Sequence, residues 1–281
     1  MNYKRRLLAL GLIASMSLTG FRFSDDNLNQ FMENMEQVSS AQGELNFQTD
    51  FRIQENGSWT EADVNVQGDW ALISEPFALH VEAEVSSAAA GEVSELELYC
   101  KQRGDDLDVY FGVDGDWKYT ETDYEEELQE ELQEDGDLGK IYSFFEENTE
   151  MYESGEAYVY DTAISGNELL NLLGTLDETD TEDLAAAGMV LSMISVQASL
   201  EVGKADKRLQ SFSLDAADSL NSVIGLLGAF SEGAFDAEVE SCLFSLNVNS
   251  YNDVSDIQVP QEAFAAERFD TDNVFALVDG L

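Results

Sequence analysis

Apolar and polar residues alternate with period two along most of this chain, and stretches with apolar residues every three or four positions interrupt the alternation. Leu28, Phe31, Met32, Met35 and Val38 recur at helical spacing, which predicts an amphipathic helix over about 25–40, ended at Gly43. Leu45, Phe47, Phe51 and Ile53 then share one strand face, interrupted at Thr49. Asn56-Gly57 is a hairpin turn signal, and Ala62, Val64 and Val66 mark the returning strand. Phe77, Leu79, Val81, Ala83 and Val85 alternate strictly before a loose turn from Ser86 to Gly91. Val93, Leu96, Leu98 and Cys100 continue on the next strand, with a slip in phase near Ser94. Leu107, Val109, Phe111 and Val113 lead to a second hairpin turn at Asp114-Gly115, and Trp117 and Tyr119 begin the return. The prediction is an antiparallel meander of about six strands with one apolar and one polar face.

The middle of the chain reads as helical and more acidic. Residues 123–134 suit a solvated helix or a linker, and Leu138, Ile141, Tyr142 and Phe145 suit an amphipathic helix. Ala157 to Asp161 reads as a short strand. Ser165-Gly166-Asn167-Glu168 and Thr179 to Glu182 are capping boxes. The second leads into Leu184 to Ile194, a segment apolar nearly all round and therefore expected to be buried. Strands resume with Val196, Ala198, Leu200 and Val202, then a basic turn from Lys204 to Arg208, then Leu209, Phe212 and Leu214. Leu220, Val223, Ile224 and Leu227 form a helical stripe. Val239 to Val248 and Asp256 to Val259 read as closing strands, with Phe244, Leu246 and Val248 inward. Pro260 ends the sheet, and Gln261 to Arg268 reads as a short helix. Strands grouped apart from helices argue for an α+β fold. One domain is expected over 21–268, with a flexible tail over 269–281.

Charge narrows the function classes. The chain of 281 residues carries 58 acidic and 13 basic residues, a net charge of −45. Such a field repels phosphate polymers and anionic membranes, so nucleic acid is set aside as a partner. A solvated acidic coat is the plain reading of the excess.

Residues 1–20 read as an export signal. Lys4-Arg5-Arg6 is a positive start, Leu7 to Ala14 is a short apolar run, and Ser15 to Gly20 follows. The run is short for a membrane span, and no later window offers one, so the mature chain is expected to have no transmembrane segment. An extracellular or cell-surface location follows, and a monomer is expected. Leu18-Thr19-Gly20 matches the first three positions of a bacterial lipobox, but Phe21 stands where the lipid-accepting Cys would be. Thioether lipidation needs that sulfur. Outside the cytoplasm Cys100 and Cys242 can close one disulfide, or can serve as two buried thiols.

The layout and several short phrases resemble the LolA-like lipid-carrying proteins, including the LppX/LprG-type lipoproteins and related small Gram-positive lipoproteins. The phrases are the near-lipobox Leu18-Thr19-Gly20, Val113-Asp114-Gly115-Asp116-Trp117-Lys118-Tyr119, Ile164-Ser165-Gly166-Asn167-Glu168-Leu169-Leu170, and Ile257-Gln258-Val259-Pro260-Gln261-Glu262-Ala263. The resemblance implies an antiparallel half-barrel of about 9–11 strands wrapped around a few helices, whose concave face holds acyl chains.

Catalytic chemistry is sparse in the sequence. His80, the single histidine, alternates with Leu79 and Val81 and so belongs to the polar side of its strand. No nucleophile motif accompanies it. One histidine and two distant cysteines do not make a zinc site, and neither Asp114-Gly115-Asp116 nor Asp177 to Asp183 has the spacing of a calcium loop. Glu134 to Lys140 lacks the first glycine of a phosphate-binding loop. With acids everywhere, no carboxylate pair is singled out for hydrolysis. The expectation is a protein without enzymatic activity, cofactor or metal. What remains is apolar surface. Phe47, Phe51, Leu79, Val81, Leu96, Leu98, Phe111, Met189, Met193, Phe244 and Leu246 are the candidate pocket, and Leu220, Val223, Ile224 and Leu227 suit a lid or an ordinary packed helix. The expected partner is a lipid or other hydrophobic ligand. The alternative is an envelope protein bound by a module with a filled core.

Overall fold

A computed structural model describes residues 26–35, 37–55, 58–88, 91–123, 149–165, 195–230 and 236–268. The export-like segment with Phe21, the helices expected after Asp123 and Ser165, Met189, Met193 and the tail from 269 lie outside these residues.

Every described strand belongs to one open sheet, and the fold is mainly β with a half-barrel-like curve. The first helix, α1 (Asp26–Met35), precedes β1 (Ser40–Glu55), β2 (Ser58–Ile73), β3 (Ala78–Ser87), β4 (Glu92–Arg103), β5 (Asp106–Val113) and β6 (Asp116–Asp123). β7 (Thr149–Ser154), β8 (Ala157–Ser165), β9 (Ser195–Gly203) and β10 (Leu209–Asp215) lead to the helix α2 (Ala217–Phe230). The long strand β11 (Asp236–Tyr251) is followed by a 3-10 turn, Gln261–Ala265, and the two-residue β12 (Glu267–Arg268). The spatial order is β12-β6-β5-β4-β3-β2-β1-β11-β10-β9-β8-β7, twelve strands without closure. All pairs are antiparallel except β12 with β6. β11 lies between β1 and β10 and so joins the meander to the second strand group.

The meander runs as the alternation predicts, with several corrections. The helix stops at Met35, short of the expected 40, because Ser39 turns the chain into the sheet. The Ser39 amide donates to Asn252 Oδ1 at 2.8 Å, and Ser40 already pairs with Ile73. Gly43 is therefore no helix terminator. It sits in β1 beside a bulge opposite β11, where a Cβ would fall 1.8 Å from the Asn247 carbonyl oxygen. The ladder through Ser94 is continuous, so the expected slip in β4 does not occur; Val93 points to the other face and is 62% exposed. Asp256 to Val259 pairs with no strand. It is an extended strap, held by Lys101 Nζ donating to the Ile257 carbonyl at 2.8 Å. The short helix expected over Gln261 to Arg268 is only a 3-10 turn. β7 was not foreseen; it makes a hairpin with β8 around Gly155, at φ +54°. Asp114-Gly115 turns as expected, with both residues at positive φ, 50° and 85°.

One face of the sheet carries the main core. Leu28, Phe31 and Met35 of α1, spaced three and four apart, pack with Val38 onto Leu45, Trp70, Leu72, Leu79, Cys100 and Val109 from the meander. The same cluster takes in Tyr160, Leu200, Val202, Leu209 and Leu246 from the other flank. A helix this short is marginal alone, and the burial of this stripe is what holds it. On the opposite, outer face the C-terminal strap makes a smaller cluster, burying Ile257 and Ala263 against Ala78, Tyr99 and Tyr110.

Candidate ligand-binding face

The register assigns each inner-face side chain to a row running across the strands, because opposed residues in an antiparallel ladder project to the same side. One row is Ala41–Leu72–Leu79–Cys100–Val109–Thr120, and all six residues are buried. The next is Gly43–Trp70–Val81–Leu98–Phe111–Lys118, where Trp70 is buried and Val81, Leu98 and Phe111 are only half-buried. On the other side of β1, Phe47 opposes Phe244, followed by Leu214 and Ala198.

Nine of the expected pocket residues are described, and all nine lie on this face. Leu79 and Leu246 are core, at 5% and 2% exposure, in the cluster that includes α1. Phe47, Phe51, Val81, Leu96, Leu98, Phe111 and Phe244 keep part of their surface open. The list missed Trp70 and Leu72. The signal was present, since Val64, Val66, Gly68, Trp70 and Leu72 alternate without a break. A Cβ at Gly68 would lie 2.2 Å from the Glu82 carbonyl oxygen, so the strand crossing admits only glycine there. Trp70 brings a polar group into the face: its indole Nε1 is buried and has no hydrogen-bond partner among the described residues.

The expected lid residues lie on α2, which packs on β11 and β9. Leu220 is 38% exposed, and Val223 and Ile224 are half-buried; the side chain of Leu227 lies outside the description. Two polar clamps fix the helix. The Asn221 side-chain amide donates to the Val239 carbonyl at 2.7 Å and accepts from the Val239 amide at 2.8 Å. Ser219 Oγ accepts from the Ser195 amide and donates to the Ser195 carbonyl. These are the contacts of a packed helix.

The bridge considered between Cys100 and Cys242 is absent, and both thiols are free. Their strands, β4 and β11, are four places apart in the sheet, roughly 19 Å at the usual strand spacing. That is far beyond disulfide reach. Burial pushes the Cys100 thiol up to about 12, and burial also raises that of Cys242, so neither is an activated nucleophile.

The outer face is polar and acidic. Glu44, Asp69, Glu82 and Glu97 oppose one another across β1 to β4, and the same row ends on Gly112 and Trp117. The Trp117 ring rests over Gly112, where a Cβ would meet it at 3.1 Å. His80 is on this face, as the alternation implied, but it is half-buried and not exposed. Desolvation lowers its pKa despite Glu82, Glu97 and Asp69 nearby. A depression of about 360 Å³ lies near the β1–β2 hairpin, lined by Phe51 and Ala62 and by the carboxylates of Asp50, Glu61, Asp63 and Glu240. Those acids suit water better than an apolar guest. Among the described residues no group of His, Cys, Asp and Glu is arranged to hold a metal ion, and no helix is long and apolar enough to cross a membrane. The Asp114 carboxylate, one of the acids weighed for calcium, instead accepts from the Glu95 amide at 2.8 Å.

A model of a family of unknown function, DUF6612, matches residues 24–219, well over half of the chain. No curated protein matches it.

Proposed function

The chain belongs to the DUF6612 family, whose function is unknown, and we propose that it is an exported, non-enzymatic binding protein that holds an apolar, lipid-like ligand against the inner face of an α+β half-barrel. The observation that carries this reading is the step in burial across one face. Residues beneath α1 are fully enclosed, while Phe47, Phe51, Val81, Leu98, Phe111 and Phe244 on the same face remain partly open. Large apolar side chains left partly open on a concave surface are the usual lining of a small-molecule site. The acidic outer face keeps such a protein soluble while the opposite side carries a hydrophobic cargo. The export-like residues 1–20, with Phe21 where a lipid anchor would need Cys, fit a location outside the cytoplasm and a carrier that is not thioether-anchored.

A second reading, a surface interaction module with a filled core, draws on α1 itself. Phe31 and Met35, each 2% exposed, already occupy part of the inner face. One experiment separates the two. Protein purified from its native host is extracted with organic solvent and analysed by mass spectrometry, and the delipidated protein is titrated with a hydrophobic dye. Stoichiometric lipid and competitive dye displacement support the carrier; clean extracts together with no saturable dye binding remove it.

A further inference from the structure

Trp70 is the buried tryptophan of a row whose next three residues are half-buried. Its indole is 5% exposed, and along the same row Val81, Leu98 and Phe111 are progressively more distant and only half-buried. From Trp70 to Phe111 is three strand steps, roughly 14 Å. Gly43, opposite Trp70 on β1, presents no side chain over the indole. The Nε1–H group is buried and makes no hydrogen bond among the described residues. An orphaned donor in an apolar setting is unfavourable, and native proteins rarely keep one without a reason. The indole nitrogen can only donate, so whatever satisfies it must offer a lone pair.

We infer that Trp70 is a specificity residue of the inner face: its Nε1–H donates to an acceptor oxygen of the ligand, while the ligand's hydrocarbon lies over Val81, Leu98 and Phe111. The ligand class is therefore an acyl compound with an ester or similar carbonyl oxygen, as distinct from a plain hydrocarbon. This inference rests on the carrier reading of the same face. It explains why a tryptophan occupies a position that Leu or Phe would fill without an unsatisfied polar atom.

Two fluorescent polyene probes test it on the full chain: diphenylhexatriene, a hydrocarbon with no acceptor, and methyl parinarate, a polyene ester. Wild type is expected to prefer the ester over the hydrocarbon by roughly tenfold more than Trp70→Phe does, the usual net effect of one hydrogen bond on affinity. A readout on wild type guards against a variant that is merely misfolded. In nitrogen-15 spectra the Trp70 indole N–H, assigned by elimination with Trp59→Phe and Trp117→Phe, should move downfield with the ester and not with the hydrocarbon. Equal preference in Trp70→Phe, with an indole signal indifferent to a bound ester, overturns the inference and leaves the carrier reading standing. Failure of both probes to bind wild type removes the carrier reading and this inference with it.

Discussion

His80 stacks on Tyr99 with ring centroids 4.2 Å apart and planes 17° from parallel. The pair lies on the outer face, one row from the carboxylates of Asp69, Glu82 and Glu97. Burial outweighs those carboxylates and lowers the histidine pKa, so the folded protein binds its proton less readily than the unfolded chain does. Stability from this site is present above the unfolded pKa, near 6.5, and is lost as pH falls from there through the lower folded value. The expected outcome is that the melting temperature of wild type, relative to His80→Gln, falls between pH 7.5 and 5. A difference that stays constant over that range would mean the ring is not desolvated.

Phe31 is the largest side chain of α1 and is 2% exposed in the main core. Phe31→Ala should cost about 3–5 kcal/mol, the range for emptying a buried phenylalanine site. Urea denaturation measures this, and the denaturant slope should stay unchanged if only packing is lost.

Gly68→Ala should destabilise the sheet by roughly 1–3 kcal/mol or more, because the new methyl meets the Glu82 carbonyl oxygen at 2.2 Å and Ala83 Cβ at 2.7 Å. Both of those atoms belong to a paired strand and have little room to withdraw. The same substitution at Gly91, where φ is +67° but no atom lies within 4 Å, should cost only the left-handed strain of about 1 kcal/mol. Thermal melts of the two variants rank them.

Asn221→Ala removes two bonds to Val239, one to its amide and one to its carbonyl. A loss of about 1–3 kcal/mol is expected. Asn221→Asp, which can still accept from the amide but cannot donate to the carbonyl, should fall between. Amide hydrogen exchange at Val239 should accelerate in Asn221→Ala and much less in Asn221→Asp, which keeps the amide's acceptor; unchanged protection in Asn221→Ala would show that α2 is not held this way.

Both thiols should stay reduced in the native protein. Reductant should leave the melting temperature unchanged, and native alkylation should spare Cys100, which is 2% exposed with its thiol pushed up to about 12. Mass spectrometry after labelling, with and without denaturant, reads both outcomes.

The strand pairing order of the meander was legible because its residues obey period two over long runs. Leu79, Val81 and Ala83 could only face one way, and the turn at Asp114-Gly115 fixed the register. The pocket candidates on those strands landed on one face for the same reason. Long-range facts were not legible. Nothing local in Asp236 to Tyr251 says that it docks beside β1, almost 200 residues earlier, and the distance between Cys100 and Cys242 follows from that docking alone. Asp256 to Val259 carries strand-like residues, yet the outer face of the sheet captured it as a strap through Ile257 and Lys101. Gly43 reads as a helix terminator, whereas it and Gly68 each mark a place where two backbones approach too closely for a side chain. Trp70 reads from the sequence as a strand aromatic that packs, and the surroundings of its indole nitrogen are a property of the assembled face.

Among the described residues twelve strands share one ladder that does not meet itself, so no hoop of hydrogen bonds fixes the gap between the flanks. That gap is the sum of the small rotations between neighbouring strands at eleven joints. A sealed barrel has one girth, whereas the width of this sheet follows from strand twist alone, so a change in the spacing of its flanks need not break a rung.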